Sequence, residues 1–152
     1  MPCPQIHSLY ETHLFVESLE RSIAFYQDVL GLRLAHIEEE RRAAFFWIGE
    51  GKQTMVGVWE RPKTEIEIRH FAFRVEPAAV LDSVAWLQEA GLQPYNFFAK
   101  DDAEPMVFAW VPAVAIYFRD PDGHSLEFIG LLDSEPAPER GVVRYSEWST
   151  GT

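Results

Sequence analysis

Tyr117-Phe118-Arg119-Asp120-Pro121-Asp122-Gly123-His124-Ser125-Leu126-Glu127-Phe128-Ile129 is the stretch on which the fold turns. Two apolar runs flank Asp-Pro-Asp-Gly, where proline presets φ at the first turn position and glycine accepts the left-handed conformation that closes the loop. The spacing predicts a β-hairpin with a three-residue loop, Pro121 to Gly123, a type I turn followed by a glycine bulge. That register pairs Asp120 with His124, and therefore Tyr117 with Glu127. Strand side chains alternate faces, so Ser125, Glu127 and Ile129 share one side while Leu126 and Phe128 take the other. A glutamate between Leu126 and Phe128 is expected to be half-buried in the sheet, which is costly without a partner.

Working outward, the chain of 152 residues is long enough for one domain with a core of its own. Apolar residues make up 47% of it and aromatics 14%, which argues against disorder. No apolar run reaches the roughly 20 residues of a membrane span. Met1-Pro2-Cys3-Pro4 lacks the basic and apolar regions of a signal peptide, so the cytoplasm is the expected compartment. One cysteine excludes an internal disulfide framework and a cysteine-based zinc site. A formal charge of −11 disfavours nucleic acid, whose phosphates need clustered Lys and Arg. A small molecule is the expected partner, with neither nucleic acid nor membrane.

Residues 8–16 read as a strand containing His13. Ser18 is a candidate N-cap for a helix carrying Leu19, Ile23, Tyr26 and Leu30 at helical spacing and stopped by Gly31. Arg33 to Glu39, Ala43 to Ile48 and Thr54 to Glu60 follow as strands, with a turn at Gly49-Glu50-Gly51-Lys52. After Arg61-Pro62-Lys63 the order starts again. Glu67 to Val75 is a strand containing His70, and Glu76-Pro77 opens a helix with Val80, Val84 and Leu87 as its stripe and Gly91 as its stop. Gln93 to Phe98 is a candidate strand, and Lys100 to Pro112 reads as a long loop with Met106, Phe108 and Trp110. The hairpin completes the second unit, and residues 133–152 read as a tail.

The chain therefore carries one βαβββ pattern twice, over 8–60 and 67–131, within a single domain spanning 1–152. His13 lies 18 residues before Gly31 and His70 lies 21 before Gly91, each in the strand that opens its unit. Phe71, Phe73 and Val75 form an apolar face suited to the following helix, while His70, Ala72 and Arg74 point the other way. In the first unit Thr12, Leu14 and Val16 oppose His13 and Phe15. If the two sheets curl together, their helix-free faces line a shared cup in which His13, His70 and Glu127 converge. Two imidazoles and a carboxylate leave open positions for a divalent first-row metal, which would give Glu127 its partner.

With its paired units, its histidine-bearing opening strands and the hairpin ending in Ser125-Leu126-Glu127, the chain resembles the vicinal oxygen chelate superfamily of glyoxalases, bleomycin-resistance proteins and extradiol dioxygenases. The resemblance covers about residues 8–131. It implies an α+β fold, two βαβββ units forming a curved, cup-like mixed sheet. It also implies His13, His70 and Glu127 as ligands of one divalent metal ion, Zn, Ni, Mn or Fe, and an enzyme whose metal stabilises an oxyanion on a small oxygen-bearing substrate. Lyase, isomerase or thiol-addition chemistry, and a homodimer, belong to the same expectation. Arg74, Tyr117 and Trp110 would shape the substrate pocket; an ion pair at the rim, cross-strand packing and loop or subunit packing are the competing accounts of these three.

Departures from the family narrow the choice. Glyoxalase I has a fourth ligand, a glutamate in the last strand of the first unit; here Val56 and Val58 stand where it is expected. Glu60 is its only substitute, either a solvated strand end or a ligand or base. The stretch Pro105 to Pro112 lacks the polar loop of the fosfomycin thiol transferases, and Ala43-Ala44 replaces the glutamate base of the fosfomycin hydrolases. Further acid–base histidines of the extradiol dioxygenases have no clear match. A sequestering protein resembling the bleomycin-resistance proteins is the first alternative, and the acidic charge would suit a cationic ligand; an Fe(II) extradiol-type dioxygenase is the second. His7, His36, His124 and Cys3 are assigned no role.

Overall fold

The turn that organises the sequence forms as its residues dictate. In the computed structural model, which describes residues 3–150, the Asp120 N–H donates to the His124 carbonyl (3.2 Å) and the Gly123 N–H to the Asp120 carbonyl (3.0 Å). Gly123 takes φ +91°, and Asp120 Oδ1 accepts from the N–H groups of Asp122 and His124. This turn sets β7 (Ala113–Arg119) against β8 (Ser125–Leu131), with Tyr117 opposite Glu127 and Arg119 opposite Ser125. His124 is fully buried; its Nδ1 accepts the Arg69 N–H at 3.1 Å, a structural role in the core.

The chain divides into two compact units between Glu67 and Ile68. In the first unit β1 is Glu11–Val16, β2 Arg33–Glu38, β3 Ala43–Ile48 and β4 Thr54–Glu60, forming one sheet in the order β1-β4-β3-β2. The second unit has β5 (His70–Arg74), β6 (Met106–Phe108), β7, β8 and β9 (Val142–Arg144), in the order β5-β8-β7-β6-β9. In each unit the opening strand lies parallel to the last strand of the repeat, and the other pairs are antiparallel. The repeat read from the sequence is thus real down to strand order and direction, and the fold is the α+β class expected.

Each sheet buries one face beneath its helix. In the first unit Leu14, Val16, Phe46, Val56 and Val58 are at most 1% exposed and lie with Leu19 and Tyr26 of the helix in one core. In the second, Phe73, Ile116, Phe118 and Leu126 are buried with Val80 and Leu87 of α2 (Pro77–Glu89). Each large side chain so buried contributes about 1.5–3 kcal/mol of hydrophobic stabilisation. Ser83, not Val84, completes the buried stripe of α2, its hydroxyl returned to the Val80 carbonyl at 2.7 Å.

Five expectations need correction. The first helix is α-helical only over α1 (Leu19–Ile23) and continues as a π-helix over Ala24–Val29, the Leu30 N–H reaching back to the Phe25 carbonyl. The strand expected from Glu67 starts at His70, because its partner β8 starts at Ser125 and the Arg69 N–H is taken by the His124 ring. Gln93 to Phe98 makes only a bridge of Tyr95 to Tyr117, since Asn96 Oδ1 collects the N–H groups of Phe98 and Ala99 and turns the chain. The loop from Lys100 to Pro112 contains β6. The tail, described as far as residue 150, adds β9 to the edge of β6 and a short helix, α3 (Tyr145–Ser149).

Candidate functional site

Within the second unit the helix-free face carries His70, Ala72 and Arg74 on β5, Ser125 and Glu127 on β8, and Tyr117 and Arg119 on β7, placed there by the pairing of His70 with Ser125 and Glu127 with Tyr117. His70 Nε2 stands 3.1 Å from Glu127 Oε2, and His70 Nδ1 stands 2.9 Å from the Ser125 carbonyl. A carbonyl only accepts, so Nδ1 bears the hydrogen. Nε2 of a neutral ring then turns a lone pair toward a carboxylate oxygen, an arrangement that calls for a proton or a metal cation at this point.

Glu127 sharpens that demand. Its side chain is 5% exposed, and Oε1 is buried with no hydrogen-bond partner among the described residues. Burial drives its pKa upward, opposed by the charge and hydrogen bond of His70. An orphaned carboxylate oxygen beside a half-exposed imidazole fits the donor chemistry of a divalent metal. Tyr117 meets the His70 ring edge-on at 5.7 Å, and its phenol is pushed up to about 12 by burial and then by the Glu127 charge, so it stays a hydrogen-bond donor at neutral pH. Arg74 is exposed on the same face, and its guanidinium makes no hydrogen bond or ion pair with any described residue.

Trp110 stands apart from this group. It is 65% exposed in the turn between β6 and β7, beyond Ala113, the end of β7 remote from Tyr117. Four residues at about 3.4 Å each separate Ala113 from Tyr117, about 14 Å along the strand.

In the first unit His13 lies on the helix-free face of β1, paired with Gly57. Its Nε2 is 3.3 Å from Glu11 Oε2, both groups well exposed, and its ring packs against Phe45 and Trp59. Gly57 is what admits the ring: a Cβ there would meet His13 Cδ2 at 2.9 Å and Phe45 at 3.0 Å. Among the described residues no group of three His, Cys, Asp or Glu side chains stands close enough to hold a metal. His70 and Glu127 are brought together within the second unit; His13 is presented by the first.

Register also identifies the first unit's counterpart of Glu127. Glu127 pairs with Ala72, two residues after His70; Phe15, two residues after His13, pairs with Trp59. Trp59 is therefore the counterpart of Glu127, whereas Val56 and Val58 are fully buried on the helix side. The indole Nε1 is buried without a partner among the described residues, and the guanidinium groups of Arg41 and Arg61 lie 5.5 and 5.8 Å from its ring.

Glu60 is partly exposed, and both its carboxylate oxygens are already engaged. Its carboxylate accepts from Arg42 Nε (2.9 Å) and Nη2 (2.8 Å) and from the Leu19 N–H (2.8 Å), capping α1. Arg42 first, then the Leu19 N–H, hold its pKa down to about 2. Reading the sequence missed Trp59, Gly57, Tyr95 and Ser125. Counting two residues on from each histidine and across to the paired strand would have found Trp59.

Comparison with known proteins comes to the same fold. The sequence profile described as "Glyoxalase/Bleomycin resistance protein/Dioxygenase superfamily" matches residues 7–128. The metallothiol transferase FosB of Staphylococcus saprophyticus is 26% identical over 156 aligned positions, covering 94% of this chain and 92% of the relative. The lactoylglutathione lyase of Neisseria meningitidis is 30% identical over 129, covering 80% and 88%. Integron cassette protein HFX_CASS4, from the mobile metagenome of the Halifax Harbour sewage outfall, superposes with a TM-score of 0.69 at 32% identity, over 83% of this chain and 100% of that one. No helix among the described residues is long and apolar enough to cross a membrane.

Proposed function

The chain belongs to the Glyoxalase/Bleomycin resistance protein/Dioxygenase superfamily, and from that premise we propose that it is a divalent-metal-dependent enzyme acting on a small oxygen-bearing substrate. His13, His70 and Glu127 are the proposed ligands. The observation that carries the reading is Glu127: a buried carboxylate with one oxygen orphaned and the other facing an imidazole nitrogen whose partner atom already spends its hydrogen on Ser125. Relatives named metallothiol transferase and lactoylglutathione lyase support a metal-assisted transfer or lyase reaction.

When bound, the metal supplies a Lewis acid for substrate oxygens on which negative charge develops. The protein's own groups do the rest. The Ser125 carbonyl fixes the His70 tautomer and so aims Nε2. Tyr117 keeps its proton and donates it as a hydrogen bond to an oxygen of the substrate. Arg74, unengaged on the same face, pairs with an anionic group. Glu60, committed to Arg42 and α1, takes no part, and neither does Trp110. A sequestering protein for a cationic ligand would account for the charge of −11, but it gives Glu127 no partner.

Metal analysis of protein purified without a histidine tag, then dialysis against Zn, Ni, Mn or Fe(II), tests the proposal. One equivalent per chain is expected, with affinity falling at least a hundredfold in each of His13→Ala, His70→Ala and Glu127→Gln. No stoichiometric uptake of any of the four metals would end it.

A further inference from the structure

Tyr95 lies outside both repeats' strands, yet its placement is rigid. Its backbone exchanges two hydrogen bonds of 2.9 Å with Tyr117, which sets its ring on the helix-free face, 5.4 Å from that of Tyr117. Its hydroxyl lies 2.8 Å from Ser125 Oγ, and the Arg119 guanidinium lies 5.2 Å from its ring. Ser125 is the residue that pairs with His70 and takes its Nδ1 hydrogen on the carbonyl, leaving the side-chain hydroxyl to Tyr95 alone.

Two hydroxyls hold two protons, and the bond between them uses one. The other O–H has no acceptor among the described residues, whichever of the pair donates. The segment bearing Tyr95 is anchored from behind. Asn96 Nδ2 donates to the Glu104 carbonyl (2.9 Å), and the C-terminal segment holds Asp102 and Glu104 through Arg144 (2.7 Å to Asp102) and the Ser146 N–H. A donor so fixed, on the same face as His70 and Glu127, is preorganised rather than incidental.

We infer that the Tyr95 and Ser125 hydroxyls form a subsite for an acceptor oxygen of the substrate, a carbonyl or carboxylate oxygen held beside the proposed metal ligands. The inference rests on the metal reading above, and its test separates the two. Oxalate and acetohydroxamate both chelate a metal through vicinal oxygens, but only oxalate keeps further acceptor oxygens when bound.

Calorimetric titration of metal-loaded wild type, Tyr95→Phe, Ser125→Ala and the double variant with each probe is the experiment. Tyr95→Phe and Ser125→Ala should each weaken oxalate about ten- to a hundredfold, in line with one lost hydrogen bond to a charged acceptor. The double variant should lose little more, because the two hydroxyls act as one donor. Ser125→Thr, which restores the hydroxyl, should bind as wild type does. Acetohydroxamate and metal affinity should stay within about twofold in Tyr95→Phe, which leaves the Ser125 carbonyl and His70 untouched. Unchanged oxalate binding in both single variants, or equal weakening of both probes, would overturn the subsite and leave the metal site standing. A wild-type chain that binds no metal would overturn both.

Discussion

The two units share a strand order and a strand direction, and differ in what stands on the helix-free face. Around His13 the neighbours are Phe45, Gly57, Trp59 and the exposed carboxylate of Glu11; around His70 they are Ser125, Tyr117 and the buried carboxylate of Glu127. One copy backs its histidine with aromatic surface and leaves the carboxylate beside it in solvent, the other buries that carboxylate in the sheet. Duplicated scaffolds keep the residues that pack beneath the helix, because those decide whether the sheet folds. The open face is released from that duty and is free to diverge. Trp59 against Glu127 is the plainest case, since the same register position holds an indole in one unit and a buried carboxylate in the other.

That contrast can be broken most severely at Glu127 itself. On the proposed reading, its buried, half-satisfied carboxylate serves metal binding at a cost to the stability of the fold. Glu127→Gln is expected to abolish metal uptake while leaving the thermal midpoint of metal-free protein equal or higher. His70→Ala should lower that midpoint, because it removes the side chain that stands against the buried Glu127 carboxyl and leaves that group without a partner among the described residues. Thermal unfolding of the two variants after chelation checks this, and a Glu127→Gln chain less stable than His70→Ala would refute it.

A smaller effect tests the paired positions Gly57 and Ser125. Gly57→Ala pushes a methyl into His13 and Phe45 and should cost about 1–3 kcal/mol of stability by overpacking. Ser125→Ala, at the matching position, only shortens a side chain and should cost less. Chemical denaturation of both variants gives the comparison.

The gentlest test concerns Glu60. Its pKa is lowered from 4.5 to about 2, so the stability it adds is fully present above pH 4.5 and is lost as pH falls toward 2. Glu60→Gln should be less stable near neutrality and show a flatter decline across that window, measured by denaturant unfolding at stepped pH.

What could be read from the amino acids followed from local chemistry. Asp-Pro-Asp-Gly specifies its own turn, and the alternation through Phe71, Phe73 and Val75 specifies which way His70 faces, so the hairpin register and the existence of both histidine strands were legible, although each strand starts three residues later than read, at Glu11 and His70. Contacts between distant segments were not legible. Nothing near Val142 announces that it will pair with Phe108, and nothing near Glu60 announces Arg42 and the start of α1. The Asn96 side chain ended a strand that the apolar residues around it suggested. The first unit's counterpart of Glu127 is Trp59, one residue on from Val58, and one residue along a strand moves a side chain to the opposite face.

The tail has a consequence for how the molecule meets its surroundings. By laying β9 along β6, the chain hems the border of its larger sheet with its own backbone and covers the amide row beside Met106 and Val107. Anything that peeled this selvedge away would bare a short, oily ribbon of unpaired amides, and neighbouring molecules in a concentrated solution would be invited to knit onto it.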